Sequence, residues 1–180
     1  MLEASNVLVA GGNLIKKVLF PAEVLPIVTV LAGLVHFGLG LPILAAFLIY
    51  YRVPVMATDL LWFPLIVAIQ LVLTVGLALL VSALTVHFRD VRDLLANLLT
   101  LWFFATPIIY PMTQAPDRVR SVLNLNPFTH LAIAYQEVLF KAGPFTLGNR
   151  LLAVGAASFI VLLFGYFVFD RLRDTLAEEV

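Results

Sequence analysis

The chain has 180 residues and no cysteine; 62% of it is hydrophobic, 12% is charged, and its 11 Lys and Arg balance 11 Asp and Glu. A soluble globular domain is roughly 45–50% apolar and about 25% charged, so the composition excludes an ordinary water-soluble fold. Zero net charge argues against a nucleic-acid partner, and the lack of cysteine with only three histidines argues against disulfides, thiolate chemistry and a metal site.

The N-terminal residues 1–12 are mildly apolar and end in Gly11-Gly12, without the basic region of a signal peptide. They are typical either of the tail of a helix that begins further upstream or of a flexible terminus. Residues 13–23 then mix Lys16 and Lys17 with apolar side chains. From the residues alone, positive anchors at the membrane surface are favoured over a docking surface.

Four long stretches without any charge predict four transmembrane helices, at residues 24–51, 60–86, 94–110 and 151–169. A helix rises about 1.5 Å per residue and the hydrocarbon core is about 30 Å thick, so about 20 residues suffice to cross. The third stretch is the shortest, because Pro107 and Pro111 interrupt it where it should finish crossing. His36 and Gln70 lie inside spans, where interhelical hydrogen bonds are expected. The predicted fold is an all-α membrane protein.

An even number of spans places both termini on one side of the membrane. That side would hold three tight pairs of cations, Lys16 with Lys17, Arg89 with Arg92, and Arg171 with Arg173, whereas the cations of the other side are spread out. The positive-inside rule therefore predicts that both termini are cytoplasmic. In the turn before the third span, Asp90 or Asp93 is expected to cap that helix, with contact to a cytoplasmic partner as the alternative.

Residues 112–149 between the last two spans predict two short helices rather than a loop. Pro116 suits a first helical turn, Asn126-Pro127 stops the first helix, and Glu137 and Lys141 form an i,i+4 pair on the second. Each helix is too short to cross, which is typical of re-entrant or interfacial segments. A hairpin that closes a pathway from the outer side is one interpretation, and a pair of surface anchors, favoured by the residues alone, is the other.

The chain carries aromatic side chains through its third span, which are expected to be interface belts or packing residues, with the lining of a sugar conduit as the alternative. It contains no P-loop lysine motif, no G-x-S-x-G, no H-E-x-x-H and no paired carboxylates in a span. No catalytic residue and no cofactor are therefore predicted. Energy for uphill transport would have to come from another subunit.

Four motifs together resemble the permease subunits of ATP-binding-cassette polysaccharide exporters, the class with ABC type 2 membrane domains. They are NLIKKVLFPAEVLP at residues 13–26, Phe-Arg-Asp at 88–90, ATPIIYP at 105–111 and Leu-Asn-Pro at 125–127. The resemblance covers almost the whole chain. It implies a homodimeric permease in the bacterial cytoplasmic membrane that exports a lipid-linked polysaccharide such as O-antigen, capsule or teichoic acid, with ATP bound by a separate cytoplasmic ATPase subunit.

The resemblance also implies roles for particular residues. The segment 13–22 and its neighbours would couple to the ATPase through Asn13, Leu14, Ile15, Lys16, Lys17, Val18, Phe20, Pro21, Glu23, Arg89 and Asp90. The outer gate would involve Pro107, Tyr110, Pro111, Asn126 and Pro127. The glycan path would include Trp102, Phe103 and Phe104.

Members of this family normally have an amphipathic helix and two further spans ahead of the coupling segment. Residues 1–180 are therefore expected to be one partial ABC type 2 transmembrane domain. Two alternatives remain at this stage. One is a membrane-embedded enzyme or assembly factor for lipid-linked glycans, which would need Glu137 or His130 as its acid or base; the other is a drug or small-lipid exporter of the same superfamily.

Overall fold

The computed structural model describes residues 1–10, 21–88, 90–110, 112–114, 116–141 and 145–179. These residues form helices and turns, and no strand occurs among them. In chain order the helices are α1 (Leu2–Ala10), α2 (Val24–Tyr50), α3 (Ala57–Leu60), α4 (Phe63–His87), α5 (Val91–Ala105), a 3-10 turn (Met112–Gln114), α6 (Asp117–Leu123), α7 (Pro127–Phe140) and α8 (Gly148–Glu179). The all-α prediction is confirmed for this part of the chain.

Within the described ranges, three helical segments are long and apolar enough to cross a membrane, and they are Val24–Tyr50, Thr58–His87 and Gly148–Leu172. They correspond to the first, second and fourth predicted spans. The third prediction, residues 94–110, differs from the structure, because α5 begins at Val91 and ends at Ala105 after 15 residues, about 22 Å. Its end has a local cause: Thr106 is extended (φ −95°, ψ 132°), as expected for a residue that precedes a proline.

The two short helices predicted between the last spans are present as α6 and α7. The helix α7 packs against α4 and α8. One cluster of buried side chains joins the three helices and contains Ile66, Ile69 and Leu73 of α4, Leu131, Ala134 and Val138 of α7, and Leu151 and Val154 of α8. We call these three helices the α4–α7–α8 block.

The helix α4 is the centre of the bundle and packs along α8, α1 and α2. At its C-terminal half, Leu79 and Ala83 form a second buried cluster with Leu8, Ala22 and Phe169. The helix α2 is different, because only Pro26 and Val30 of its 27 residues are buried. Most of its other residues are apolar and exposed, as expected for a helix surrounded by lipid or by further membrane helices.

Candidate functional site

The C-terminal end of α5 is a helix terminus whose carbonyl groups are bonded by nearby side chains. Thr106 closes the last turn, since its Oγ1 donates to the Trp102 carbonyl at 2.8 Å and its N–H donates to the Phe103 carbonyl at 3.2 Å. The Tyr110 hydroxyl donates to the Phe104 carbonyl at 3.3 Å. A membrane offers no water for such groups, so a helix can end there only if the protein bonds its carbonyls. The ATPIIYP motif supplies these donors.

Asn126 joins the end of α5 to the start of α7. Its Oδ1 accepts from the Phe128 N–H at 3.0 Å, which is the N-cap bond of α7, and from the Trp102 Nε1 at 3.1 Å. Its Nδ2 donates to the Thr106 Oγ1 at 3.2 Å. The Leu-Asn-Pro motif therefore has a physical explanation: Asn126 caps α7, Pro127 occupies the first helical position, and the Asn126 amide also bonds Trp102 of α5 and the residue that follows this helix, Thr106.

Three consecutive residues near the end of α7 bond to three different segments. The Tyr135 hydroxyl donates to the Gln70 Oε1 of α4 at 2.8 Å, and the Gln136 Nε2 donates to the Pro107 carbonyl at 2.8 Å. The Glu137 Oε1 accepts from the Lys141 Nζ at 3.2 Å and from the Thr146 Oγ1 at 2.7 Å. The helix α7 is thus bonded to α4, to the residues after α5, and to the segment that leads into α8.

These contacts define what we call the α5–α7 junction, formed by residues 102–110 and by α7 with its N-cap. A cavity of about 580 Å³ adjoins it, between α4, α5 and α7. The walls are mainly apolar, and the polar side chains Gln70, Trp102 and Gln136 in them bond to other groups of the protein. Further lining residues include Leu95, Leu99, Phe103, Phe128, Leu131 and Ala132.

The predicted glycan-path residues separate into two groups. Trp102 and Phe103 line the cavity, and the Trp102 ring meets that of Phe128 edge to face, with centroids 6.2 Å apart. Phe104 is 59% exposed and stands edge to face with Phe103. The residues predicted for an outer gate, Pro107, Tyr110, Asn126 and Pro127, all lie in the junction, whereas Pro111 lies outside the described residues.

Most of the predicted coupling segment also lies outside the described residues, namely Asn13, Leu14, Ile15, Lys16, Lys17, Val18, Phe20 and Arg89. Its described members are Pro21, Glu23 and Asp90. Ala22, between the first two, is buried against the C-terminal half of α4, so Pro21 and Glu23 lie at the same end of α4 as the turn to Asp90. The α5–α7 junction lies near the other end of α4, beside Gln70.

Two polar residues behave differently from the sequence expectations. Asp90 occupies the N-cap position of α5, but no capping hydrogen bond of its side chain is found within the described residues, and its backbone is helical. His36 bonds through Nδ1 to the Ala32 carbonyl of its own helix at 2.8 Å, so this bond is not the interhelical one expected. The interhelical bond expected for Gln70 is present, to Tyr135 of α7.

The sequence reasoning missed Thr106, Tyr135 and Gln136 as members of the junction. A signal existed for the glutamine, since an amide in the last turn of a short apolar helix has to find a partner when that helix is buried.

The two residues predicted as acid or base for the enzyme alternative, Glu137 and His130, both bond to other groups of the protein. Glu137 is 5% exposed and carries the two bonds given above, and the His130 Nε2 lies 2.8 Å from the Asn124 carbonyl oxygen.

The chain is similar in sequence to proteins of a known membrane-transport family. Residues 7–140 match the model of the ABC-2 type transporter family. The chain is 37% identical over 171 residues to the O-antigen export system permease protein RfbA of Myxococcus xanthus, which covers 93% of this chain and 65% of the relative. Two permeases of the same name from Klebsiella pneumoniae are 28% and 29% identical, again with 65% of each relative covered. The chain thus spans 65% of the length of these relatives. It is a multi-pass membrane protein and belongs to the ABC-2 type transporter family.

Proposed function

We propose that this chain belongs to the membrane subunit of an ATP-driven exporter of lipid-linked polysaccharide, of the O-antigen class, in the bacterial cytoplasmic membrane. The observation that carries the proposal is the 37% identity, over 93% of the chain, to a permease named for O-antigen export. The working unit would be a homodimer with a cytoplasmic ATP-binding-cassette ATPase. ATP would be hydrolysed by that ATPase subunit, since residues 1–180 contain no P-loop lysine motif.

The ATPase would act on the end of the bundle where α1, α2 and the α4–α5 turn meet. The described members of the two predicted contacts, Pro21 and Glu23 on one side and Phe88 and Asp90 on the other, adjoin that end of α4, which supports a shared docking surface. Phe88 is 62% exposed at the C-cap of α4, and an exposed aromatic beside charged residues is typical of an interface. This end would be cytoplasmic, in agreement with its paired cations.

The α5–α7 junction would then form the outer gate. A third crossing of the membrane would be completed by the non-helical residues Thr106–Tyr110, with α6 and α7 returning as partly inserted helices. The bonding of the α5 carbonyls by Thr106 and Tyr110 supports this interpretation, because irregular backbone at membrane depth is tolerated only where the protein satisfies its polar groups. Residues 112–149 would act as gate helices rather than as anchors.

The glycan would pass along the aromatic side of α5, with Phe104 as the most accessible ring and Phe103 and Trp102 behind it. Ring faces stack on the apolar faces of sugars and hold them loosely, as a conduit requires. In the proposed cycle, ATP binding closes the ATPase dimer, pushes on residues 13–23, and rocks the helices so that the glycan threads past the gate.

Deletion of the chromosomal gene tests the proposal. Surface polysaccharide should disappear while lipid-linked glycan accumulates inside the cell, and a plasmid copy of the gene should reverse both effects. Retention of the surface glycan would contradict the proposal. A drug or small-lipid exporter would instead change resistance or lipid composition and leave the glycan unaltered.

A further inference from the structure

The helix α7 is attached to its neighbours in two physically different ways. Toward α4 and α8 it contributes to a continuous apolar core. Tyr135 adds aromatic contacts to Phe63 of α4 and to Phe37 of α2, with ring centroids 5.6 and 6.3 Å away. Such packing is lost only if the buried surface is exposed, so the α4–α7–α8 block should move as one unit.

Toward α5 the described attachment lies at the C-terminal end of α5 and is mainly polar, with one edge-to-face ring contact between Trp102 and Phe128. Both helices line the cavity of about 580 Å³, α5 with side chains such as Leu99 and α7 with side chains such as Leu131. At the end of α5, Asn126 bonds Trp102 and Thr106, and Gln136 bonds the Pro107 carbonyl. Directional bonds between a few groups can be exchanged for others, whereas a packed core cannot.

We propose that the side-chain amides of Asn126 and Gln136 form a latch, which holds the C-terminal end of α5 against the α4–α7–α8 block and releases it when the outer gate opens. The physiological meaning of the latch rests on the proposed function. The part that moves is α5. Release lets α5 swing away from the block, and the cavity between them widens into the path. Gln136 is a positioning residue, since it holds Pro107 in place through the bond to its carbonyl and does not touch the substrate.

The absence of cysteine from the sequence makes a disulfide lock unambiguous. In Thr106→Cys with Asn126→Cys, the new thiols replace side chains whose Oγ1 and Nδ2 are 3.2 Å apart. Oxidation should stop polysaccharide export from whole cells, and dithiothreitol should restore it. The control lock joins Ile69→Cys to Gly155→Cys inside the block, where a Cβ on Gly155 would lie 3.5 Å from the Ile69 Cγ1. Oxidation of that pair should leave export unchanged.

A second measurement does not depend on export or on correct folding of the double variant. Ala132→Cys, in the cavity wall, is labelled in native membranes with a water-soluble maleimide. The variant Gln136→Met keeps the shape of the side chain but cannot donate to Pro107, and it should raise the labelling rate about fivefold, the population shift expected from one lost hydrogen bond. The matched control is Gln114→Met, the same change at an exposed glutamine of the 3-10 turn.

Three outcomes are decisive. Export that is blocked only by the latch disulfide, together with faster labelling only in Gln136→Met, supports the latch. Equal labelling in Gln136→Met and Gln114→Met overturns it, as does continued export by the oxidised latch pair. If the cells need no such permease for surface glycan, the proposed function fails, yet the labelling rates still test the latch.

Discussion

Gly76 of α4 and Gly165 of α8 lie against each other at the closest approach of these two helices. A Cβ on Gly165 would collide with the Gly76 carbonyl oxygen, and a Cβ on Gly76 would come within 2.6 Å of the Leu162 Cα. Because both obstacles are backbone atoms, the helices themselves would have to separate. Small residues at a crossing allow the two backbones to pack this closely. In a membrane the hydrophobic effect does not drive helices together, so van der Waals contact at such crossings stabilises their association.

Substitution of either glycine should therefore destabilise the bundle. Gly165→Ala should cost about 1–3 kcal/mol of folding free energy, the usual penalty of overpacking. The thermal midpoint in mild detergent measures this. Gly33→Ala on α2 is the matched control, because no atom lies within 4 Å of a Cβ there and alanine is the better helix former. Equal midpoints for the two variants would contradict the close crossing.

The bond between Tyr135 and Gln70 predicts a coupling between α7 and α4. Tyr135→Phe should cost about 1 kcal/mol, since it removes the donor and leaves the Gln70 Oε1 without that partner, while the ring contacts to Phe37 and Phe63 remain. A double-mutant cycle with Gln70→Met, read from unfolding midpoints, isolates the pair. Strictly additive effects would argue against the bond.

The coupling segment can be tested by removing a charge and an aromatic side chain together. Replacing Lys16 and Phe20 together with alanine should abolish polysaccharide export and leave membrane insertion intact, because the force from the ATPase would no longer reach the bundle. Export and the amount of permease in washed membranes are measured together. The control is Arg118→Ala on the exposed surface of α6, and undiminished export by the double variant would remove the coupling role.

The enzyme alternative makes an opposite prediction for Glu137 and His130. Both side chains hold bonds that shape the ends of α7, so Glu137→Gln and His130→Gln should lower stability modestly and leave the export rate per folded permease near normal. Surface glycan normalised to the amount of protein in the membrane measures this. A loss of more than about 100-fold from either change alone, typical of a missing general acid or base, would favour catalysis.

The sequence was sufficient to predict the helical elements because their signals are local. Uncharged stretches predict α2, α4 and α8, Pro116 predicts the start of α6, and Asn126-Pro127 predicts where α6 stops. The length of α5 was overestimated, because hydropathy continues through Ile108, Ile109 and Tyr110 although the helix ends before Pro107. Hydropathy indicates which residues favour a lipid environment. It does not show at which residue the backbone leaves the helical conformation.

The candidate site was predictable only in part, for a similar reason. Asn126 and Pro107 were named from motif resemblance, yet their partners Trp102 and Gln136 are separated from them by more than 20 residues in the chain. Hydrogen bonds between side chains on different helices depend on how the helices rotate about their axes. A single sequence shows which side chains need a partner, and the packing decides which partner they find.

Purification from the protein's own cells, through a C-terminal tag added at the chromosomal gene, tests the exporter account most directly. The account predicts that the permease in mild detergent carries an ATP-binding-cassette ATPase in equal amount, and that addition of lipid-linked glycan raises ATP hydrolysis by the complex. A permease recovered without any ATPase, under conditions where a known exporter of this family keeps its own, would contradict the account.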